Sequence, residues 1–252
     1  MTDHWLLTPQ FFEQPEPALA GVVPDGASVN GPHVLADRSV DSLAQVHRPI
    51  ARFTYETLAA GARPISVAGD CCASIPVLAG VQAAGINPVL VWVDAHGDFN
   101  TPEISDSGFL GGMPLAMIVG RGSLGLGETV GLSPLKEDQV WLIDGHDLDP
   151  RERDAIDASA LRRTGMAGLA TLSLDAPVHF HLDIDVLDAV DAPGTNYPVA
   201  NGPSLAETIA ACRSFAAKNT IVAISISGWT GALDTDGRTK DACAAVLDAI
   251  IG

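Results

Sequence analysis

From about Arg63 onward, short apolar runs rich in β-branched residues alternate with stretches whose apolar positions recur every three to four residues. That alternation predicts repeated strand–helix units and a mostly parallel sheet. Residues 64–68, 88–93, 140–143, 178–184 and 220–226 are too short for helices and read as buried strands. The first two begin at Pro64 and Pro88, as a strand's first residue allows. Helices are expected over 74–84, from Pro150 through Asp154, over 204–217 and, amphipathic, over 238–251. The first sixty residues are less periodic. They suggest only a strand at Trp5-Leu6-Leu7 and Gly/Pro-rich turns near Pro24 and Pro32, and they say little about function. With no repeat, charge block or low-complexity linker, residues 1–252 are expected to form a single α/β domain.

The composition fits that picture: 252 residues, 47% hydrophobic and 18% charged, suffice for a large core. Fourteen Lys and Arg against 31 Asp and Glu leave a net charge of −17, a surface that repels phosphate backbones and anionic lipids. Nucleic-acid and membrane-surface roles are thereby disfavoured. No stretch approaches the roughly 18 apolar residues of a membrane span, and Met1-Thr2-Asp3-His4 lacks the cationic flank of a signal peptide. Four cysteines, Cys71, Cys72, Cys212 and Cys243, are too few for a disulfide scaffold. Reduced thiols in a cytoplasmic protein are the expectation.

The chemistry is expected at strand ends. Acidic residues close three predicted strands: Asp70, the run Asp94-Ala95-His96-Gly97-Asp98, and Asp183-Ile184-Asp185. In a parallel sheet the carboxyl ends share one edge, and ligands bind in the crevice there. If the segment stays extended, Asp94, His96 and Asp98 face one side, as do His179, His181, Asp183 and Asp185. A lone Asp-x-Asp at a strand end more often serves a turn or helix cap. Two such clusters on different strands, one with a histidine, point instead to divalent metal, because gathered carboxylates are costly without a cation.

These residues resemble a known family. Val93-Asp94-Ala95-His96-Gly97-Asp98-Phe99-Asn100-Thr101-Pro102 is similar to the Asp-Ala-His-x-Asp motif of the arginase/agmatinase superfamily, the ureohydrolases. His181-Leu182-Asp183-Ile184-Asp185-Val186-Leu187-Asp188 resembles that family's Asp-x-Asp-x-x-Asp motif, and Ala192-Pro193-Gly194-Thr195 the segment after it. The resemblance runs from about Val67 to the C-terminus, through Leu233-Asp234-Thr235-Asp236-Gly237-Arg238-Thr239. It implies a three-layer α/β/α fold, a homo-oligomer (trimer or hexamer), and two divalent ions, manganese in the family, with a water between them that attacks a guanidinium-type carbon. Asp94 and Asp183 would then bridge the ions, Asp98 would bind one, and His96 with Asp185 the other. Asp98 would also hold the nucleophile and take its proton.

Three departures stand out. Cys71, in Ala68-Gly69-Asp70-Cys71-Cys72, occupies the place of the family's first ligand histidine. It is either a thiolate ligand, which would favour zinc, iron, cobalt or nickel over manganese, or a buried small hydrophobe. Gly111 stands at the family's proton-shuttle histidine, with His146 and Glu103 as conceivable replacements, and Gly228 near its guanidinium-binding glutamate. Both losses read as a pocket emptied in concert. Asn100 and Ser107 remain where arginases contact the amino-acid end of their substrate, or else cap loops. Two functions follow: a metal-dependent hydrolase of a non-peptide C–N bond in a small amidine or guanidino compound, or a catalytically inactive relative with a metal-supported binding or structural role.

Overall fold

The computed structural model describes residues 2–252; Met1, which opens the sequence, lies outside them. The chain runs β1 (Asp3–Leu7), β2 (Gln10–Phe11), β3 (Gln14–Pro15), β4 (Ser28–Val29), α1 (Val40–Ala59), β5 (Arg63–Val67), α2 (Ser74–Ala83) and β6 (Val89–Asp94). It continues through α3 (Pro114–Ile118), α4 (Gly125–Val130), β7 (Val140–Asp144), α5 (Pro150–Asp157), β8 (Arg162–Thr164), α6 (Met166–Leu169), β9 (Val178–Asp183), α7 (Leu205–Ala216), β10 (Ile221–Ser227) and α8 (Arg238–Ile251). Eight strands form one sheet in the order β4-β1-β5-β10-β9-β6-β7-β8, and every pairing in it is parallel. β2 and β3 pair separately as a short antiparallel hairpin.

Strand alternation sends side chains to two cores, one on each face. Val91, Val93, Phe180, Leu182, Ile224 and Ile226 pack with Phe215 of α7 and Val246 of α8. Leu90, Trp92 and Leu142 pack on the other face with Val46 and Ile50 of α1 and Ile75 and Leu78 of α2. The three-layer α/β architecture is therefore the one expected, with a sheet that is wholly rather than mostly parallel.

Two of the elements that escaped the periodicity show why. α1, twenty residues long, lies in the segment that read as aperiodic. Its buried stripe runs Leu43, Val46, His47, Ile50, Thr54, Thr57, so half of its inward positions are polar, and Pro49 interrupts the pattern. The helix is nonetheless started by Ser39, whose side chain accepts the Ser42 amide at 3.3 Å. It packs against α2 so closely that a Cβ on Gly80 would lie 2.5 Å from the Ala51 carbonyl oxygen. β8, Arg-Arg-Thr at the sheet edge, has no apolar signature at all.

Candidate metal centre and its pocket

At the carboxyl edge of the central strands, the loops enclose a pocket of about 220 Å³. Cys71, Asp94, His96, Asp98, Asp183 and Asp185 all line it, together with Asn100 and Ser107.

Asp94 ends β6, where its Oδ2 accepts the Trp92 indole N–H at 3.0 Å and its Oδ1 accepts the His96 amide at 2.7 Å. The chain then leaves the strand, so alternation does not extend through residues 94–98. Asp98 sits at φ +48°, in the left-handed region that few residues other than glycine adopt. Its carbonyl receives the Leu115 and Ala116 amides at the head of α3, 2.9 and 3.1 Å away. Gly97 admits Glu152 so closely that a Cβ there would stand 2.7 Å from the Glu152 carboxyl carbon. The shared-face expectation for Asp94, His96 and Asp98 is thus corrected: a turn brings them together, not strand parity. On β9 alternation does hold for His179, His181 and Asp183, all buried. Asp185 is delivered one turn later, its amide donating to Asp183 Oδ1 at 2.9 Å.

The cluster is electrostatically crowded. Burial first, then neighbouring carboxylates, push the carboxyl groups of Asp98, Asp183 and Asp185 above the usual carboxylate range. Burial works against the His96 imidazolium, but contacts with Asp185 at 3.2 Å and Asp94 at 3.4 Å outweigh it and raise its pKa. The Cys71 thiol, raised by burial and then by Asp183, donates to Asp183 Oδ2 at 2.9 Å and lies 3.0 Å from Ser227 Oγ.

Asp98 Oδ2 and Asp185 Oδ1 are buried and have no hydrogen-bond partner. Two triads, Cys71/Asp94/Asp183 and Asp94/His96/Asp185, each bring ligand atoms within 4.8 Å of one another and share Asp94. Carboxylate oxygens with an imidazole nitrogen and one sulfur suit a pair of divalent cations, harder on the histidine side and softer on the cysteine side. By donor chemistry and by its orphaned oxygens, the site fits metal.

Asp70 also lines the pocket, but its carboxyl oxygens serve the backbone, accepting the Phe12 amide at 3.0 Å and the Cys72 amide at 3.1 Å. Burial pushes its pKa up to about 6. Asn100 Nδ2 donates to Asp149 at 3.3 Å, leaving its buried Oδ1 unpartnered, while Ser107 Oγ accepts the Phe109 amide within its own loop.

The two glycines are not vacancies. A Cβ on Gly111 would lie 2.3 Å from the Phe109 ring, so that ring covers the position. Gly228 has φ +90°, and a Cβ there would lie 2.0 Å from Asp183 Oδ1, so that carboxylate fills the space. The emptied pocket expected from sequence is corrected to one refilled by other groups. His146 and Glu103 are not among the pocket's lining residues; His146 Nδ1 instead meets Asp144 Oδ1 at 2.6 Å.

Sequence reasoning missed two sets of contributors. Asp147, Asp149 and Glu152 follow β7, and the strand-end logic that found Asp94 could have found them. Phe11, Phe12 and Tyr197 carry no local signal. Beneath the cluster, His181 Nδ1 and His179 Nε2 meet Ser225 Oγ at 2.9 and 3.0 Å, and Trp92 stacks on His181 with centroids 3.8 Å apart.

Comparison with known proteins places the chain in a family. The model of the Arginase family matches residues 25–252. Arginase of Bacillus caldovelox is 30% identical over 230 residues, covering 85% of this chain and 77% of that protein. N(omega)-hydroxy-L-arginine amidinohydrolase of Streptomyces lavendulae is 31% identical over 192 residues, 74% of this chain and 67% of that one. The crystal structure of arginase from Bacillus cereus superposes with a TM-score of 0.85 at 26% identity, covering 100% of this chain and 99% of that one. This chain belongs to the arginase family. No helix among the described residues is long and apolar enough to cross a membrane.

Proposed function

We propose that this protein is a metal-dependent hydrolase of a C–N bond in a small guanidino or amidino compound. The observation that carries the reading is the pair of donor triads sharing Asp94 at the floor of one pocket. Asp94 and Asp183 would bridge two divalent ions, Asp98 and Cys71 would complete one site, and His96 with Asp185 the other. Manganese is the expected metal, with nickel, cobalt, iron or zinc competing because of Cys71. Such ions supply Lewis acidity, which makes water a nucleophile at neutral pH.

The chain's own residues would do the rest. Asp98, whose Oδ2 is buried and unpartnered, holds the attacking water and takes its proton. Asn100, with a free buried Oδ1, and Ser107 orient the substrate. Water adds to the central carbon, the C–N bond breaks, and the amine leaves with the proton. We place the enzyme in the cytoplasm as a homo-oligomer, a trimer or hexamer, in keeping with its family resemblance and four free cysteines.

Gly111 and Gly228 favour a second reading, an inactive relative that binds metal for structure or recognition. Loss of one positioned acid–base group costs about 10²–10⁴ in rate, so hydrolysis of arginine and agmatine is expected to be very weak. Metal analysis followed by urea and amine release from a panel of guanidino compounds, under manganese, nickel, cobalt and zinc, decides between the two. Release from any of them supports the hydrolase. Metal without release from any of them supports the binding protein, and efficient release from arginine overturns the atypical site.

A further inference from the structure

Beside the metal floor stands a wall that the chemistry above does not use. Phe11, Phe12, Phe109 and Tyr197 line the pocket together. Phe11 and Phe12 meet edge to face at 5.1 Å and Phe12 and Phe109 at 5.8 Å, while the Phe109 and Tyr197 rings lie tilted to one another at 5.3 Å. Tyr197 in turn stands edge-on to His96 at 6.4 Å, so the aromatic surface runs from the hairpin to the metal donors. Tyr197 is 49% exposed and Phe11 and Phe109 are partly so, which leaves aromatic surface uncovered along the pocket's lining.

The wall is built rather than incidental. Phe12 holds φ +50°, uncommon for a bulky residue, and its amide is fixed by the half-buried Asp70 carboxyl at 3.0 Å. Its hairpin lies so close to the first strand–helix turn that a Cβ on Gly69 would stand 2.5 Å from the Gln10 carbonyl oxygen. Farther along the wall, the bare backbone of Gly111 is what lets the Phe109 ring come so close to it. No Arg or Lys is among the lining residues, whereas Asp147, Asp149 and Glu152 add acid beyond the metal donors. Behind the rings Arg38 is already paired with Glu13, so an anionic tail finds no free counter-charge at the lining, and a flat apolar group beside a cation finds both of its partners. At about 220 Å³ the pocket lies below the common range of roughly 300–1,000 Å³ for ligand sites, so a compact ligand with a single ring suits it.

We propose that the pocket selects a small cationic guanidine or amidine carrying a single aromatic or comparably flat apolar substituent. This inference rests on the hydrolase reading for the substrate's reactive end, and on the wall alone for the substituent. Titration calorimetry of the manganese-loaded full chain with benzylguanidine, methylguanidine and arginine tests it, with urea release measured in parallel. Benzylguanidine is expected to bind at least tenfold more tightly than either of the others. Tyr197→Ala and Phe109→Ala are each expected to erase most of that preference while leaving metal content unchanged. Equal binding of benzylguanidine and methylguanidine, tighter binding of arginine, or a preference that survives both variants would overturn the inference. The two readings fail separately. Selective benzylguanidine binding with no urea from any guanidine sinks the hydrolase and supports the wall; urea from other guanidines with no aryl preference does the reverse.

Discussion

The floor of the pocket and its wall are built by different means. The floor comes from strand ends: Asp94, Asp183 and Cys71 sit where β6, β9 and β5 terminate or one turn beyond, so short motifs fix their positions. The wall comes from a hairpin, a loop and a turn widely separated in the chain, joined by contacts such as Phe12 to Asp70 and Arg38 to Phe109. A floor made this way stays recognisable as sequence drifts, because a parallel sheet brings its strand ends together whatever their neighbours. In a wall assembled from distant loops one glycine decides which side chain can come in, as the Phe109 ring does at Gly111. Within one pocket, family membership is thus written in the floor and selectivity in the wall.

The largest expected effect tests whether the two parts are separable. Phe12 is 1% exposed at the centre of the wall, and Phe12→Ala should cost about 3–5 kcal/mol of stability by denaturant unfolding. Metal content of the folded variant should be unchanged. Loss of metal together with stability would mean that floor and wall form one cooperative unit.

The floor's own test is the double variant Asp94→Asn with Asp183→Asn. At a hundredfold excess over its dissociation constant, a metal that binds only the folded state stabilises it by about 2.7 kcal/mol. Manganese should raise the melting temperature of the wild type and leave the double variant unmoved, with metal content falling in parallel. Unaltered stoichiometry would remove the carboxylate cluster from the metal's coordination.

Legibility followed the same division. Strands 64–68, 88–93, 140–143, 178–184 and 220–226 were readable because both faces of a central parallel strand are buried, which leaves a continuous apolar run. The acids closing them were readable for the converse reason, since an Asp breaks that run where the strand meets the pocket. The means by which Asp98 joins Asp94 was not readable, because it depends on amides of α3 and on Glu152 pressing against Gly97. α1 was missed because His47, Thr54 and Thr57 share its buried stripe, where they look like solvent positions. Nor did two glycines disclose what had moved into their space. Phe109 and Asp183 approach Gly111 and Gly228 through folding, and no spacing rule connects them.

His47 offers a pH test away from both floor and wall. Burial pushes its pKa down to about 4, against the ordinary 6.5 expected when the chain unfolds. Between those values the unfolded state binds more protons, so this contribution is present above pH 6.5 and is lost as pH falls toward 4. At pH 5 the loss is about 2 kcal/mol, from 1.36 kcal/mol per pKa unit. Wild-type stability measured in urea should fall more between pH 7 and pH 5 than that of His47→Leu. Parallel pH profiles would show that α1 opens locally before His47 is protonated.

The smallest expected effect concerns the clamp behind the wall. Arg38 Nε and Nη2 contact Glu13 at 2.5 and 3.0 Å, while its guanidinium lies 4.9 Å from the Phe12 ring centre and 5.9 Å from that of Phe109. The arrangement ties hairpin to loop from outside, since Arg38 is not among the pocket's lining residues. With side chains 39% and 21% exposed, the ion pair is solvated, so Glu13→Gln should cost only about 0.2–1 kcal/mol. The cost should shrink further in high salt. The bond to Arg38 lowers the pKa of Glu13, so the pair's contribution is present above the usual Glu value of 4.5 and fades as pH falls through the depressed one. Arg38→Ala removes the ion pair and the cation over the rings together. If it costs no more than Glu13→Gln, the rings hold their places through Asp70 and Gly111 alone; a clear excess, of about 0.5–1 kcal/mol, assigns the remainder to the guanidinium stacked on the wall.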